Sequence, residues 1–229
     1  MDYYIIGYML LFIGAIVTIV ADVYLQTRYK KYKQQKNSNG LSGFEVARQI
    51  LDANGLDNIY VVETKGMLSD HYDPNGKVVR LSHDIFHGET IAATSVAAHE
   101  VGHAIQDKEG YKPMRLRSFI VPFASFGSRF GYIAIVIGLL FQSMNIAWVG
   151  MGLLLLILLF QLVTLPVEFN ASARAEQEIK RLKLLAPAEQ SDSKKMLTAA
   201  ALTYVASLVT TITELLRLLL LILANNNDN

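Results

Sequence analysis

The sequence predicts a mainly α-helical membrane protein, with about four transmembrane helices and a small α+β part holding two or three short strands. The first observation behind this is composition. Of the 229 residues, 52% are hydrophobic and mean hydropathy is +0.30, more than the core of a soluble domain of this size requires. The second is distribution, because the apolar residues come in blocks. Residues 3–21 carry no charge, and at about 1.5 Å per residue they nearly span a hydrocarbon core of roughly 30 Å. Residues 144–165 and 196–224 are similar in length, and 119–141 is apolar apart from Arg129. The third is that the polar stretches between the blocks show helical and strand patterns of their own.

The elements follow in order. Asp2 precedes the first block, and a basic run (Arg28, Lys30, Lys31, Lys33, Lys36) follows it. A secretory signal has positive charge before its apolar stretch and a cleavage site after it. Residues 1–24 therefore read as an uncleaved anchor whose C-terminal end is cytoplasmic by the positive-inside rule. Gln34 to Ser42 is polar and loop-like. From Gly43 to Asn54, apolar Phe44, Ala47, Ile50 and Leu51 repeat at helical spacing, and Gly55 supplies a stop. Ile59–Val62 and Val78–Leu81 are β-rich, with Gly66 and the turn Asp73-Pro74-Asn75-Gly76 between them. From Glu89 to Lys108 the pattern is helical and rich in Ala, ending before Gly110.

The second and third apolar blocks are separated only by Gln142–Asn145, which predicts a tight transmembrane hairpin. Residues 166–195 are polar and partly helical, with a loose loop expected at Ala186–Ser193. The last block ends in Asn225–Asn229, read as a frayed tail. The chain thus divides into an anchor (1–24), a cytoplasmic region (25–118), a membrane hairpin (119–165), a cytoplasmic helix and loop (166–195), and a final transmembrane helix with tail (196–229). Arg174, Lys180, Arg181 and Lys183 place 166–195 on the same side as 25–118.

A net charge of +1 gives no reason to expect a nucleic-acid partner, and the basic run reads as orientation and lipid-headgroup contact. There are no cysteines. Disulfides and thiolate chemistry are excluded, and a bound zinc must be held by His, Asp or Glu.

His99-Glu100-Val101-Gly102-His103 lies in the helix at 89–108. His-Glu-x-x-His places two imidazoles one turn apart on one face, where both can bind one ion. The glutamate after the first His stands beside the ion and can take a proton from water activated there. With five His in 229 residues, chance supplies this pentapeptide on the order of one time in a hundred. Gly102 is a poor helix former, which points to close packing or substrate approach at that position.

A catalytic zinc has three protein ligands plus water. No His follows His103, so the candidates for the third are carboxylates, chiefly on the same membrane side. Asp107 and Glu109 are too near in sequence to reach back. Glu168, just past Pro166 where the hairpin returns the chain, is the first choice, and Glu176 the alternative.

The stretches Leu68–Pro74 (LSDHYDP), Val96–Gln106 (VAAHEVGHAIQ), Leu165–Ser172 (LPVEFNAS) and Ala200–Ala206 (AALTYVA) resemble the YugP family of neutral zinc metallopeptidases of bacterial membranes. The resemblance runs from about Gly43 to Ala206. It implies a zincin-like cytoplasmic part, Zn2+ as cofactor, His99 and His103 as ligands and Glu100 as catalytic base. It also implies a bacterial plasma-membrane location. Similarity to the gluzincin-type HtpX and Ste24 membrane proteases implies Glu168 as third ligand. Those relatives carry Asp four residues after that Glu, where this chain has Ser172. YugP-like sequences read Glu-Phe-Asp, where position 170 here is Asn. The carboxylate that orients a His ligand is thus missing from these positions or supplied from elsewhere.

Other signals are secondary. Asp70-His71-Tyr72-Asp73 reads either as a strand edge that pairs with an extended substrate, with His71 donating to the oxyanion, or as a plain turn. Tyr204 reads as an interfacial anchor or as a hydroxyl that stabilises the tetrahedral intermediate. Arg129 within an apolar block needs a partner, and Glu214 is the candidate, with Arg217 one turn on competing for it. Gly127 and Gly131 have the Gly-x-x-x-Gly spacing of close helix contact. Asn170-Ala-Ser172 matches a glycosylation acceptor by chance, and His83 and His87 read as surface residues. The function expected is hydrolysis of peptide bonds in membrane or membrane-proximal proteins at the cytoplasmic face. The rivals are a metal-binding scaffold without turnover and a metal transporter, the latter disfavoured because Glu214 alone offers an acidic ligand within the spans. Partners are a peptide or protein substrate and the lipid bilayer. Protein partners or a homo-oligomer are admitted but not specified.

Overall fold

The computed structural model describes residues 3–227. In chain order it contains α1 (Tyr3–Gln34), α2 (Gly43–Ala53), β1 (Tyr60–Thr64), β2 (His71–Asp73), β3 (Val78–Ser82), α3 (His83–Phe86), α4 (Ile91–Lys108), α5 (Lys112–Leu140), α6 (Met144–Arg181) and α7 (Pro187–Asn227). Four of these helices, α1, α5, α6 and α7, are long and apolar enough to cross a membrane. The protein is therefore a mainly helical membrane protein with a small α+β part. Two compact units form. One gathers the chain through Asp22, Arg115–Leu165 and the chain from Thr203; the other comprises Val23–Met114 and Pro166–Leu202.

In the first unit α5 and α6 form the expected hairpin, with Phe141, Gln142 and Ser143 between them. A Cβ added to Gly131 would meet Leu154 Cδ2 at 2.5 Å, and one on Gly138 would meet Ala147 N at 2.5 Å. Gly127 likewise abuts the Leu153 carbonyl. Small residues thus let the two backbones approach, as helices in lipid require when no hydrophobic force drives them together. Ile135, Leu154, Leu218 and Ile222 fill the interior. Between α1 and α7 the Thr18 and Thr210 hydroxyls are 2.8 Å apart, and Thr210 Oγ1 also donates to the Gly14 carbonyl. Glu214 accepts two bonds from Arg217, at 2.7 and 2.6 Å, so Arg217 is its partner. Arg129 is exposed on α5 near Ser125 and Ser128. Phe12, Ile16 and Ile19 on α1 and Phe119, Phe123, Phe126 and Phe130 on α5 also face outward. An outward apolar face of this kind belongs in hydrocarbon.

The second unit is built on an ordinary water-type core. Val46, Ala47, Ile50 and Leu51 line one face of α2 and are buried with Leu81, Ile85, Val101, Ile179 and Leu185, each large aliphatic side chain contributing about 1.5–3 kcal/mol. The helix starts with a capping box, in which Ser42 Oγ accepts from Glu45 N–H and the Glu45 carboxylate accepts from Ser42 N–H. The sheet has the order β1-β3-β2, with β1 parallel to β3 (Tyr60↔Val78 to Thr64↔Ser82) and β2 antiparallel to it (His71↔Arg80, Tyr72↔Val79). The β2–β3 turn is held by Asp73 Oδ1, which accepts from the Asn75 and Gly76 N–H groups. Tyr72 donates to Asp107 Oδ2 at 2.8 Å, which ties this edge strand to α4.

Several sequence expectations are corrected. The loose loop at Ala186–Ser193 is helix: α7 begins at Pro187, whose fixed φ suits a first helical turn, and Glu189 accepts from the Ala186 N–H. Residues 166–181 are not a separate helix, because α6 runs through Pro166 without a break. The polar segment after Gln34 is partly ordered by pairing, with Asn37 N–H donating to Glu89 O and Ile91 N–H to Gln35 O. Of the two readings of Asp70–Asp73, the strand edge is the one observed, from His71 onward. The short helix at His83–Phe86 was not anticipated. The tail expected to fray is helical through Asn227, and Asp228 and Asn229 lie outside the described residues.

Candidate active site

The site is built on α4. Thr90 caps it, accepting from Ala93 N–H at 3.1 Å, and small residues Ala92, Ala93, Ala97, Ala98 and Ala104 are all buried. A helix buried on most of its surface needs small side chains so that neighbours can reach its backbone. Gly102 is the extreme case. A Cβ there would lie 2.6 Å from the Ala171 carbonyl oxygen, so close packing of α6 is what the glycine permits. That approach brings α6, and with it Glu168, against the imidazoles. His99 Nε2 is 3.3 Å and His103 Nε2 is 3.6 Å from Glu168 Oε2.

The remaining ring nitrogens are held from behind. Gln106 Nε2 donates to the Val167 carbonyl at 2.8 Å and to Asn170 Oδ1 at 2.9 Å. A carbonyl can only accept, so the amide oxygen must face the other way, toward His103 Nδ1 at 3.0 Å. His103 therefore carries its proton on Nδ1 and has Nε2 to offer a metal. Asn170 is itself fixed, because Oδ1 also accepts from the Arg174 guanidinium at 2.7 Å. Arg174 in turn pairs with Glu109 at 2.7 Å. For His99 the corresponding group is Ser172, whose hydroxyl lies 3.2 Å from Nδ1. In this chain a serine hydroxyl thus stands behind one imidazole and a glutamine amide behind the other. Gln106 was not singled out from the sequence, although its position three residues after His103 on one helix face was a usable signal.

Electrostatics separate the carboxylates. Burial pushes the Glu100 carboxyl up, and His99 and His103 offset only part of this. Burial acts on Glu168 in the same sense, but the two imidazoles outweigh it and hold that carboxyl well below its usual range. His103 is raised, burial being overcome by Glu168 and Glu100. The two carboxyls are thus driven apart, Glu100 upward by burial and Glu168 downward by the imidazoles.

The donor set fits a zinc ion. One nitrogen from each His and one Glu168 oxygen lie within 4.8 Å of one another. A tetrahedral zinc with bonds of about 2.0–2.1 Å separates its ligand atoms by about 3.3 Å, close to the two His–Glu distances. The other candidates are not among these three donors. Glu176 is half-buried and lies 3.8 Å from Lys194. Asp107 accepts from Tyr72 and Lys77. His71 is exposed on β2, with Nδ1 bonded to the Ser69 carbonyl at 2.8 Å. Its neighbour Asp70 accepts from Ser82 N–H and Oγ. Tyr204 lies on α7 in the apolar unit and is 37% exposed.

The fold and this cluster together define a membrane protein with a candidate metal site, two His from one helix and a Glu from a later one. A family model described as "Putative neutral zinc metallopeptidase" matches residues 7–223, and the chain belongs to that family. It is 42% identical over 205 residues to the "Putative membrane protease YugP" of Bacillus subtilis (strain 168), covering 90% of this chain and 91% of the relative. No solved structure shows a significant match.

Proposed function

We propose that this protein hydrolyses peptide bonds of membrane or membrane-proximal proteins with one zinc ion held by His99, His103 and Glu168. The observation that carries the reading is the convergence of those three donors beside the buried carboxyl of Glu100. Zinc bound there supplies Lewis acidity, polarising a carbonyl oxygen and acidifying water. The protein's own groups do the rest. Glu100 takes the proton of the attacking water and passes it to the leaving amine, a task favoured by its raised pKa. Gln106 and Ser172 keep the imidazoles turned so that Nε2 faces the ion. Membership of a zinc metallopeptidase family supports the reaction class. The basic residues that follow the first apolar block support a cytoplasmic position for residues 25–118 and 166–195, and so for the site.

Glu100→Gln should retain zinc and lose hydrolysis of a quenched fluorescent peptide by at least about a hundredfold. Cleavage by that variant at the wild-type rate would remove Glu100 from its role. A scaffold that binds metal without turnover would show no hydrolysis in either protein. Zinc content of His99→Ala and Glu168→Ala should fall together; loss in the first alone overturns the third ligand.

A further inference from the structure

A second set of metal-binding side chains lies outside the HEVGH site. Glu63 sits on β1, His83 opens α3 and His87 caps it. The parallel register Thr64↔Ser82 places the end of β1 beside the residue preceding His83. The single turn of α3 then puts His87 on the same side as His83, with His87 N–H bonded to the His83 carbonyl at 3.1 Å. The rings stand 4.9 Å apart, tilted by 54°. Between them Glu63 divides its two oxygens, Oε1 at 2.7 Å from His83 Nδ1 and Oε2 at 3.0 Å from His87 Nε2. One donor atom from each residue lies within 4.8 Å of the other two.

We infer that Glu63, His83 and His87 form a second, solvent-facing site for a divalent transition ion of the zinc or nickel type. The donor set decides the class. Two imidazoles and one carboxylate suit borderline ions, whereas Mg2+ and Ca2+ prefer oxygen ligands. The scaffold is set before any ion arrives, because β1 is paired along its length and Ser82 is pinned by Asp70. Phe86 packs between His87 and Phe44, with centroid distances of 4.8 and 5.0 Å. An ion would displace protons from the Glu–His hydrogen bonds and take their place. The side chains are 43%, 73% and 56% exposed, so water completes the coordination. The ion exchanges more readily than one at the buried centre. All three residues lie in the unit containing Val23–Met114, and none belongs to the proposed catalytic set.

The test is zinc content of the full-length protein in detergent, equilibrated with buffered free Zn2+. The wild type should hold about two ions per chain and His83→Ala/His87→Ala about one. In a His99→Ala/His103→Ala background the remaining ion should vanish when His83 and His87 are also replaced. Ni2+ should compete for this ion, and millimolar Mg2+ should not. Equal zinc content with and without His83 and His87 overturns the site, and displacement by Mg2+ overturns the ion class. Because those residues are exposed, matching thermal unfolding of wild type and His83→Ala/His87→Ala is the expected folding control. If the His99→Ala/His103→Ala protein does not fold, the wild-type comparison alone decides.

Discussion

At the scale of single residues, one amide decides which nitrogen His103 can offer. Gln106 is fully buried, and both its N–H groups go to acceptors on α6, which leaves its oxygen for the imidazole. Gln106→Leu should weaken zinc binding about 10–100-fold, the usual cost of losing a group that orients a ligand, as read by competition with a chelating dye. Asn170→Asp should leave affinity unchanged, since it keeps the acceptor that Gln106 and Arg174 use, whereas Asn170→Leu should weaken it. Equal affinities for all three variants would dismiss the network. His99, Glu100 and His103 were legible in the sequence because motif spacing is a local property of a helix, whereas Glu168 was chosen over Glu176 only from the return of the hairpin. The residues behind them were not legible, because Gln106 and Asn170 are 64 positions apart and meet only once two helices pack.

At the scale of elements, the closeness of α4 and α6 rests on Gly102. Gly102→Ala would improve helix propensity by about 1 kcal/mol in an exposed helix. Here it drives a methyl group toward the Ala171 carbonyl, an overpacking that costs about 1–3 kcal/mol. The expected outcome is a lower melting temperature together with reduced zinc content, because the shift moves Glu168 off the imidazoles. A more stable variant with full zinc content would contradict this account. Periodicity marked α2 and α4 correctly, since each presents buried residues on helical spacing to a water-excluding core. It did not foresee that α6 continues through Pro166 or that α7 starts at Pro187. Proline signals a break in water, but helices in membranes accommodate it, and at a first turn it is favourable.

At the scale of the whole molecule, the apolar blocks announced four membrane-crossing helices by length alone. The orientation proposed for them from charge asymmetry is easy to check, because the sequence has no cysteine. Ser191→Cys, on an exposed position before the last block, should react with a membrane-impermeant thiol reagent only after the cells are opened. Phe141→Cys, at the exposed tip of the α5–α6 hairpin, should react in intact cells. The reverse pattern would place the HEVGH helix outside the cytoplasm.

The order of ligands along the chain has a consequence in time. His99 and His103 leave the ribosome first, and Glu168 follows only after both arms of the hairpin, Lys112–Leu140 and the apolar part of Met144–Arg181, have been made. A nascent chain halted before that point owns His99, Glu100 and His103 but lacks Glu168, the proposed third ligand. Under the proposed ligand set, peptidase competence would be a late event of biogenesis, reached only after both arms of the hairpin have been made.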